Sequence, residues 1–370
     1  MIQPPGDGAR RLGAPDGSDP VDISIVVPCR NGAGSLRGAL ESLVGHRWRL
    51  RWEIVLADNG STDATCEVFA AFGAAHPELA TRVIDASARP GKASALNVAL
   101  SGLPSRAFLF LDDDDAVAPG WLEAMGEALE SEPLVAARVD TLRLSPEWAS
   151  AAGGRDGRGL ALLWFPPHCA LAGGSTLGFR REVFATVGPF DREFMAVEDS
   201  DFLIRAYRKG YRLIEVPDAV YHYRLRSTPE GVARQEWAYT RYGARLRRLY
   251  DPGVRSVFAP RPWLWLAGSL LGLGLDRCLR AAGVRRPGTP AREAGRAWWS
   301  ARVHGELSGA LAERIAPRPP RKAAARRRRF AVRKPAGAAA PNRLPPELPA
   351  EQPDDRPLTA RKKVASHFPA

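Results

Sequence analysis

Four consecutive aspartates, Asp112–Asp115, are the residues of this chain whose types and spacing point most directly to chemistry. Adjacent carboxylates repel one another, and a divalent cation relieves that repulsion. Hard oxygen ligands select Mg²⁺ or Mn²⁺, which proteins typically bind through one or two carboxylates together with substrate phosphates. The run therefore predicts a site for a divalent metal and a phosphorylated ligand. The alternative is an acidic turn that caps the helix expected from Pro119.

The aspartates directly follow an apolar run, Ala107–Leu111, which is typical of a buried strand in a parallel sheet. Ligands of open α/β sheets bind at the carboxyl ends of the strands, so the aspartates would lie at a ligand site. Because side chains alternate along extended backbone, we expect Asp112 and Asp114 to face one way and Asp113 and Asp115 the other.

The loop after the first predicted strand carries Pro28, Arg30 and Asn31 just before a helix N-terminus. Backbone N–H groups at such a position, together with the arginine, suit part of a nucleotide. Taken alone, this loop is better explained as an ordinary strand-to-helix turn.

The loop after the second predicted strand begins with Asp58, whose carboxylate suits a hydrogen bond from a base N–H. Asn59, Gly60 and Ser61 would allow the ligand to approach closely. In the alternative interpretation, Ser61 or Asp63 caps the helix that follows.

A third loop leads into a helix that begins near Lys92 and contains Asn97. The lysine suits neutralisation of a phosphate, and the asparagine suits contact with a sugar. A surface lysine and a buried, fully hydrogen-bonded asparagine form the alternative.

Strand and helix patterns alternate through this half of the chain, which predicts a doubly wound α/β domain with a mainly parallel central sheet. The predicted strands are residues 23–28, 53–57, 82–86, 107–111 and 134–139, and the predicted helices are residues 35–44, 64–75, 92–100 and 119–131.

The segments SIVVPCRNG, VLADNGSTDAT, GKASALN, FLFLDDDDAVAPGWL and GFRREVFATVGPFDREFMAVEDSDFLIRAYRKGYRL occur in this order between Ile23 and His222. Together they resemble the family 2 glycosyltransferases of the GT-A fold. The resemblance implies a GT-A-type nucleotide-sugar-binding fold and an inverting transfer from a nucleotide-diphosphate sugar. It also implies a divalent metal, Mn²⁺ or Mg²⁺, on the diphosphate.

The resemblance assigns roles by position. Asp58 would contact the base, and Asp112 and Asp114 would form the DxD pair, with Asp114 as the more direct metal ligand and Asp113 between them in the donor site. Asn59 departs from the family, in which an acid is common at this position.

Three acids, Glu198, Asp199 and Asp201, lie at the start of a later predicted helix. Displacement at an anomeric carbon needs a carboxylate that takes the proton of the acceptor hydroxyl. The family position selects Asp199 as this base, with Glu198 as the second candidate. Favourable interaction with the helix dipole is the alternative.

His222 follows a predicted strand, residues 211–216, and lies between two tyrosines. Many members of the family have a metal or diphosphate contact at this position, and a packed, hydrogen-bonded histidine is the equal alternative.

Charge and composition divide the chain of 370 residues, whose net charge is +12. Four cysteines without a CxxC spacing indicate neither a zinc site nor a disulfide framework, and they favour the cytoplasm. We expect a disordered leader (1–21), the GT-A glycosyltransferase domain (22–225), a helical C-terminal extension (226–316) and a disordered Arg/Pro/Ala-rich tail (317–370).

Two segments of the C-terminal part suggest an anionic membrane surface as a partner. Residues 262–275 are apolar and would form a helix of about 21 Å, too short to span a bilayer but suited to its interface. Packing of this helix on the catalytic domain is the alternative. Residues 317–334 hold nine Arg or Lys and no acid, which favours phosphate-bearing partners.

The sequence thus predicts a non-processive glycosyltransferase that acts on a lipid-linked or polysaccharide acceptor in the cytoplasm, peripherally on the inner face of the membrane. The QxxRW motif of processive members is absent, and so is the GxGxRxxP opening of sugar nucleotidyltransferases. The competing interpretation is a catalytically weak nucleotide-sugar-binding protein whose basic tail binds acidic membrane or nucleic acid. The intact set of acids argues against binding alone. Nucleic acid is the less favoured partner.

Overall fold

The structure is a computed structural model that describes residues 11–12, 22–146, 160–163 and 165–251. Most of the predicted leader, the apolar run 262–275 and the basic tail 317–370 lie outside the described residues.

The domain is built on a nine-stranded sheet with the order β1-β4-β3-β2-β5-β10-β7-β11-β6. Two further short strands, β8 and β9, pair with each other. The strands are β1 Arg11–Leu12, β2 Ile23–Cys29, β3 Trp52–Asp58, β4 Thr81–Asp85, β5 Ala107–Phe110, β6 Ala116–Val117, β7 Leu134–Asp140, β8 Ala161–Leu162, β9 Ala170–Leu171, β10 Leu177–Arg180 and β11 Ile214–His222.

The half of the sheet formed by β4, β3, β2 and β5 is parallel throughout. Strand β10 inserts antiparallel between β5 and β7, and β11 then runs parallel to β7. The longest pairings are the parallel ones, so the mainly parallel α/β sheet predicted from the sequence is confirmed. The carboxyl ends of β2, β3 and β5 lie on one edge, where the predicted site residues follow them.

Seven helices are described in this part of the chain, and each of the predicted strand-to-helix units contains one. They are α1 Leu36–Glu41, α2 Thr65–Ala75, α3 Lys92–Gly102, α4 Trp121–Ser131, α5 Arg181–Val187, α6 Glu198–Arg208 and α7 Pro229–Tyr250; a single 3₁₀ turn covers Gly174–Thr176.

Helices cover both faces of the sheet, and successive residues of the central strands enter different cores. Ile25 and Leu109 pack on the side of α1, α2 and α4, whereas Val26 and Phe110 pack on the side of α3, α5 and α6. All seven residues of β2 are buried. Burial on both faces explains why these strands are continuous apolar runs rather than alternating ones.

The last described helix, α7, packs beside α6 through a third apolar cluster. Leu246 and Tyr250 of α7 contact Phe194 and Ile204 in this cluster. The hydroxyl of Tyr250 also donates a 2.5 Å hydrogen bond to the buried carboxylate of Asp201. At its other end α7 begins after Thr228, whose side chain accepts from the N–H of Gly231.

Strand β11 extends further than the sequence indicated. Its pairing with β7 resumes after an irregularity between Val216 and Val220, and it ends at His222. Pro217, which has no N–H to donate to a sheet, lies inside that irregularity. The pattern predicted a strand end at this point, so His222 was expected beyond the strand rather than at its last position.

Within the part of the chain that the structure describes, every helix is too short or too polar to cross a membrane.

Candidate active site

The four aspartates form a turn, and each carboxylate has a different partner. Strand β5 ends at Phe110, and the N–H of Asp115 donates to the carbonyl of Asp112 at 3.2 Å. The expected alternation of side chains is therefore wrong, because it assumed extended backbone that the turn interrupts. The aspartates still lie at the carboxyl edge of the sheet, as the sequence predicted.

Asp112 is paired with the lysine at the start of α3. The Lys92 ammonium lies 2.5 Å from Asp112 Oδ1. Burial lowers the pKa of Lys92, but the adjacent Asp112 and then the charge of Glu198 outweigh burial and raise that pKa above its usual value. Lys92 thus brings together the aspartate turn and the acids of α6.

Asp114 is paired with an arginine that sequence reasoning did not select. Arg226, in the loop between β11 and α7, donates to Asp114 Oδ2 at 2.8 Å. The side chains are partly exposed, 42% for Arg226 and 23% for Asp114, so the ion pair can separate at low cost. In the sequence, a basic partner for Asp114 was indicated only by the excess of negative charge in the aspartate run, because adjacent carboxylates require nearby cations.

Asp113 and Asp115 make contacts within the protein. Asp113 accepts from the Ser35 hydroxyl at 2.9 Å, and Asp115 accepts from the Tyr221 hydroxyl and the Arg224 N–H at 2.9 and 2.7 Å. Burial, followed by the charge of Asp112, raises the pKa of Asp115 to about 8. Asp115 therefore connects the aspartate turn to the segment after β11.

Asp199 lies in the first turn of α6 and is held by two backbone donors. The N–H of Gly174 donates to Oδ2 at 2.7 Å, and the N–H of Ser200 donates to Oδ1 at 2.6 Å. A Cβ at Gly174 would lie 3.2 Å from the Cβ of Asp199, so glycine permits this close approach. Val197, directly before the helix, has φ of 57°, an uncommon conformation for a β-branched residue.

Glu198 is only 8% exposed, although it stands beside Asp199. Burial, and after it the charge of Asp199, raises the pKa of Glu198 to about 7, while Lys92 opposes that shift. Two adjacent acids thus have different environments. A carboxyl group whose pKa is raised in this way is typical of functional sites, although structural clusters also produce it.

The first two loops are joined to each other. The N–H of Asn31 donates to the Ser61 hydroxyl, and the N–H of Thr62 donates to the Asn31 side chain, at 2.9 and 2.8 Å. Pro28 is buried within β2, whereas Arg30 is exposed at the rim. Of the residues predicted in the first loop, Arg30 and Asn31 are thus the ones at the surface.

Asp58 ends β3 and accepts from the N–H of Ser61 at 3.2 Å. Gly60, between them, has φ of 78°, which glycine adopts readily. Asp63 accepts from the N–H of Thr65, the first residue of α2, but Ala64 and not Asp63 occupies the N-cap position.

Two predicted binding residues are buried and their side chains are used internally. Asn59 donates to the carbonyls of Ala86 and Arg89 and accepts from the N–H of Gly91, so it holds the loop that leads to Lys92. Asn97 donates to the carbonyl of Phe190 and accepts from its N–H. The structure thus supports the alternative in which Asn97 is buried and hydrogen-bonded within the protein.

His222 has the features of an oriented metal ligand. Its Nδ1 lies 2.6 Å from Asp140 Oδ2, and its buried Nε2 has no hydrogen-bond partner among the described residues. A carboxylate on one ring nitrogen commonly fixes the orientation of a metal-binding histidine. The carboxylates of Asp112 and Asp114 are donors that fit Mn²⁺ or Mg²⁺, whereas an imidazole such as that of His222 is more typical of softer metals. Across residues 22–146, 160–163 and 165–251, however, no three His, Cys, Asp or Glu side chains converge as a metal site.

The sequence model named Glycosyl transferase family 2 matches residues 24–188. This part of the chain is a family 2 glycosyltransferase domain. The match contains β2 to β5, the aspartate turn and Gly174, and it ends before Asp199 and His222. Together with the sheet order, it confirms the family and the GT-A-type fold class predicted from the sequence.

Two of the similar proteins are named as glycosyltransferases. The chain is 23% identical to glycosyltransferase AglE of Haloferax volcanii over 65% of this chain and 79% of that protein. It is 29% identical to the pre-mycofactocin glycosyltransferase of Mycobacterium tuberculosis over 56% of this chain and 43% of that protein. The chain spans between 26% and 79% of the length of the first curated relatives it matches.

Among solved structures, the chain is similar to the mannosyltransferase PcManGT from Pyrobaculum calidifontis in complex with GDP-Man and Mn²⁺. That similarity has a TM-score of 0.49 and 19% identity, and it covers 88% of this chain and 85% of that one.

Proposed function

We propose that this protein is a metal-dependent, inverting, non-processive glycosyltransferase that moves a sugar from a nucleotide-diphosphate sugar to a hydroxyl group. The observation that carries the proposal is the position of Lys92, whose ammonium pairs with Asp112. Against the effect of burial, Asp112 and then the charges of Glu198 and Asp199 raise the pKa of Lys92. One cation thus lies between a candidate diphosphate site and a candidate base.

The donor would bind along the carboxyl edge of the sheet. Asp58 would accept a hydrogen bond from the base, with Gly60, Ser61, Arg30 and Asn31 around it. Lys92 would neutralise the diphosphate as Asp112 turns toward the bound donor. Asn59 would act indirectly, because it holds the loop before Lys92.

Asp114, Asp112 and His222 would hold the divalent metal. When bound, Mn²⁺ or Mg²⁺ would stabilise the negative charge of the departing diphosphate. Arg226 would then leave Asp114 and become available to the diphosphate, which requires only the loss of a partly exposed ion pair.

Asp199 would accept the proton of the acceptor hydroxyl while the hydroxyl oxygen attacks the anomeric carbon. The bond from that carbon to the diphosphate breaks in the same displacement, so the configuration inverts. The N–H groups of Gly174 and Ser200 fix the carboxylate for this step. Glu198, with its raised pKa, would remain protonated over more of the acidic range and serve as a neighbour rather than the base.

The acceptor would be lipid-linked or a polysaccharide, reached at the inner face of the membrane. Two features of the sequence support this part of the proposal, the apolar run 262–275 and the nine basic residues of 317–334. The second candidate function is nucleotide-sugar binding with little turnover, and the ion pairs that occupy Asp112 and Asp114 favour it.

Ligand-dependent melting tests the donor site. We expect one nucleotide sugar among UDP-glucose, UDP-N-acetylglucosamine and GDP-mannose to raise Tm in the presence of Mn²⁺, because a ligand that binds only the folded state stabilises it. The Asp114→Asn variant should lose the Mn²⁺ dependence of that shift. Equal shifts with Mn²⁺ and with EDTA would remove the metal from the proposal, and no shift with any donor would remove the donor site. Release of the nucleoside diphosphate in the same samples distinguishes transfer from binding alone.

A further inference from the structure

Helix α7 has one face that runs from the protein core toward the candidate active site. Residues at positions 235, 239, 242, 246 and 250 recur at steps of three or four and therefore share this face. Leu246 and Tyr250 are buried, and Tyr242 packs against Phe194 with ring centroids 6.4 Å apart. Toward the start of the helix the same face becomes more polar, because its next members are Tyr239, which carries a hydroxyl, and Gln235, which carries an amide.

The contacts of α7 place the buried half of this face beside the start of α6. Tyr250 bonds to Asp201 and Tyr242 contacts Phe194, and these two partners flank Glu198 and Asp199 in the chain. The face therefore passes along the start of α6.

A hydrogen-bond network connects the same face to Tyr223, which directly follows β11. The amide of Gln235 donates to the Tyr223 hydroxyl at 2.9 Å and to the Tyr239 hydroxyl at 3.2 Å. Tyr223 directly follows His222, and its N–H donates to the carbonyl of Asp140 at 2.8 Å. Tyr239 and Gln235 are thus joined by hydrogen bonds to Tyr223, the residue that follows the candidate metal ligand His222.

The pKa of Tyr239 also reflects the charge of Asp199. Desolvation of the Tyr239 hydroxyl, followed by the charges of Tyr223 and Asp199, raises the pKa of Tyr239. The charge of Asp199 acts on this hydroxyl even though 40 residues of chain separate the two positions.

Tyr239 nevertheless leaves much of its side chain open. The residue is 46% exposed, while its hydroxyl is fixed by Gln235. A side chain held at its polar end and exposed along its ring offers a flat apolar surface next to hydrogen-bonding groups. That combination suits a pyranose, which has C–H groups on its faces and hydroxyls at its edge.

We propose that Tyr239 and Gln235 form the acceptor-binding wall of the site and that the acceptor presents a sugar ring to it. The proposal deepens the proposed function and rests on it for the identity of the reaction. The ring of Tyr239 contacts a face of the acceptor sugar, and Gln235 with the Tyr223 hydroxyl orients the hydroxyl that Asp199 deprotonates.

The same helix supplies a matched control. Trp237 is also aromatic and 37% exposed, but it lies about 200° around the helix from Tyr239. Its ring stacks with Arg241, whose Cζ lies 5.1 Å from the centroid. A loss of general aromatic surface or of helix stability should therefore appear in a Trp237 variant as well.

The experiment compares wild type, Tyr239→Ala, Tyr239→Phe and Trp237→Ala in the full chain. Octyl β-glucoside, octyl α-mannoside and octyl β-galactoside serve as acceptor probes, with the donor that gives the largest melting shift. Three quantities are measured, namely the acceptor KM, the rate of donor hydrolysis by water and the Kd of the octyl glycoside by calorimetry with UDP or GDP present.

We expect Tyr239→Ala to raise the acceptor KM and the glycoside Kd by about tenfold, which corresponds to the loss of one aromatic contact. Donor hydrolysis should stay within twofold of wild type, because water does not need the wall. Tyr239→Phe should have a smaller effect on KM, and Trp237→Ala should have none.

Each other outcome has a definite meaning. An acceptor KM and a glycoside Kd within twofold of wild type in Tyr239→Ala would overturn the wall, and so would equal effects in Trp237→Ala. If a glycoside binds in a Tyr239-dependent way but no turnover is seen, the proposed function is wrong, whereas the acceptor-binding wall is supported. If wild type binds none of the three glycosides and transfers to none, the assignment of a sugar ring is wrong.

Discussion

At the scale of single residues, the candidate site is a set of carboxylates that each have a separate partner. Asp112 pairs with Lys92, Asp114 with Arg226, and Asp115 with the Tyr221 hydroxyl. The arrangement reduces repulsion without a ligand, and two of the three partners are cations that suit a diphosphate equally well.

Residue types could be predicted from the sequence better than their contacts. The aspartate run was visible because it follows an apolar strand, and Lys92 because it opens a helix. Arg226 and Tyr221 lie more than 100 residues from the aspartates they contact, and no local pattern connects them. Asn97 resembled a sugar contact because an asparagine near a helix start looks the same whether it faces a ligand or a buried carbonyl.

Glu198 gives a prediction about pH and stability. Its pKa is raised from 4.5 to about 7, so the folded state binds this proton more tightly than the unfolded state does. Between these two values, the contribution of Glu198 to the free energy of unfolding should fall as pH rises, by up to about 1.4 kcal/mol per pH unit. Since glutamine does not titrate, Glu198→Gln should gain stability relative to wild type at pH 8 compared with pH 5.

Urea unfolding at pH 5 and pH 8 measures this difference. Glu182→Gln is the control, because Glu182 occupies the first turn of α5 but is exposed. A Glu198→Gln variant whose stability relative to wild type is equal at both pH values would contradict the raised pKa.

At the scale of elements, the sequence indicated which segments are strands and helices but not how the later strands pair. Hydrophobic periodicity reports burial, and it carries no information on the direction or the neighbour of a strand. The parallel half, β2 to β5, followed from repeated strand-to-helix units. The antiparallel insertion of β10 between β5 and β7 depends on packing of Phe179 between Phe110 and Phe202, which only the folded chain brings together.

The contact between α6 and α7 gives a prediction about stability. Tyr250→Phe removes the hydroxyl that donates to the fully buried carboxylate of Asp201, while the Arg205 partner remains at 2.8 Å. Loss of one donor to a buried charge should lower the free energy of unfolding by about 1–3 kcal/mol.

Tyr211→Phe is the matched control, because its hydroxyl bonds to Thr186 in an exposed setting at 3.2 Å. That variant should change the free energy of unfolding by less than about 0.5 kcal/mol. If both variants unfold at the same denaturant concentration as wild type, Tyr250 does not anchor α7 through this bond.

At the scale of the whole molecule, much of the positive charge lies outside the described domain. The chain has a net charge of +12, and nine of its basic residues lie between 317 and 334, outside the described residues. The division into leader, domain, extension and tail stays a prediction, as does peripheral binding at the inner face of the membrane.

Replacement of Arg326, Arg327, Arg328 and Arg329 by serine in the full chain tests the membrane partner. Each basic residue near an anionic surface contributes about 1 kcal/mol, so binding to phosphatidylserine-containing vesicles at low salt should weaken at least about tenfold. Binding of wild type should also weaken with added salt, because the surface potential decays within a Debye length.

Neutral phosphatidylcholine vesicles are the control, and residual binding to them would be attributed to the apolar run 262–275. Equal flotation of wild type and the serine variant on anionic vesicles would show that these arginines are not the membrane contact. Nucleic-acid binding would then become the better explanation of the tail.

The central claim is that Asp199 is the base of a sugar transfer to a donor bound at the aspartate turn. The measurement that tests it most directly is turnover of Asp199→Asn together with its affinity for the nucleotide sugar, with Glu198→Gln as the neighbouring control. The proposed mechanism predicts a fall in turnover of about 10²- to 10⁴-fold, with donor Kd within a few-fold of wild type and a smaller loss in Glu198→Gln. Turnover of Asp199→Asn within a few-fold of wild type, or a larger loss in Glu198→Gln, would contradict it.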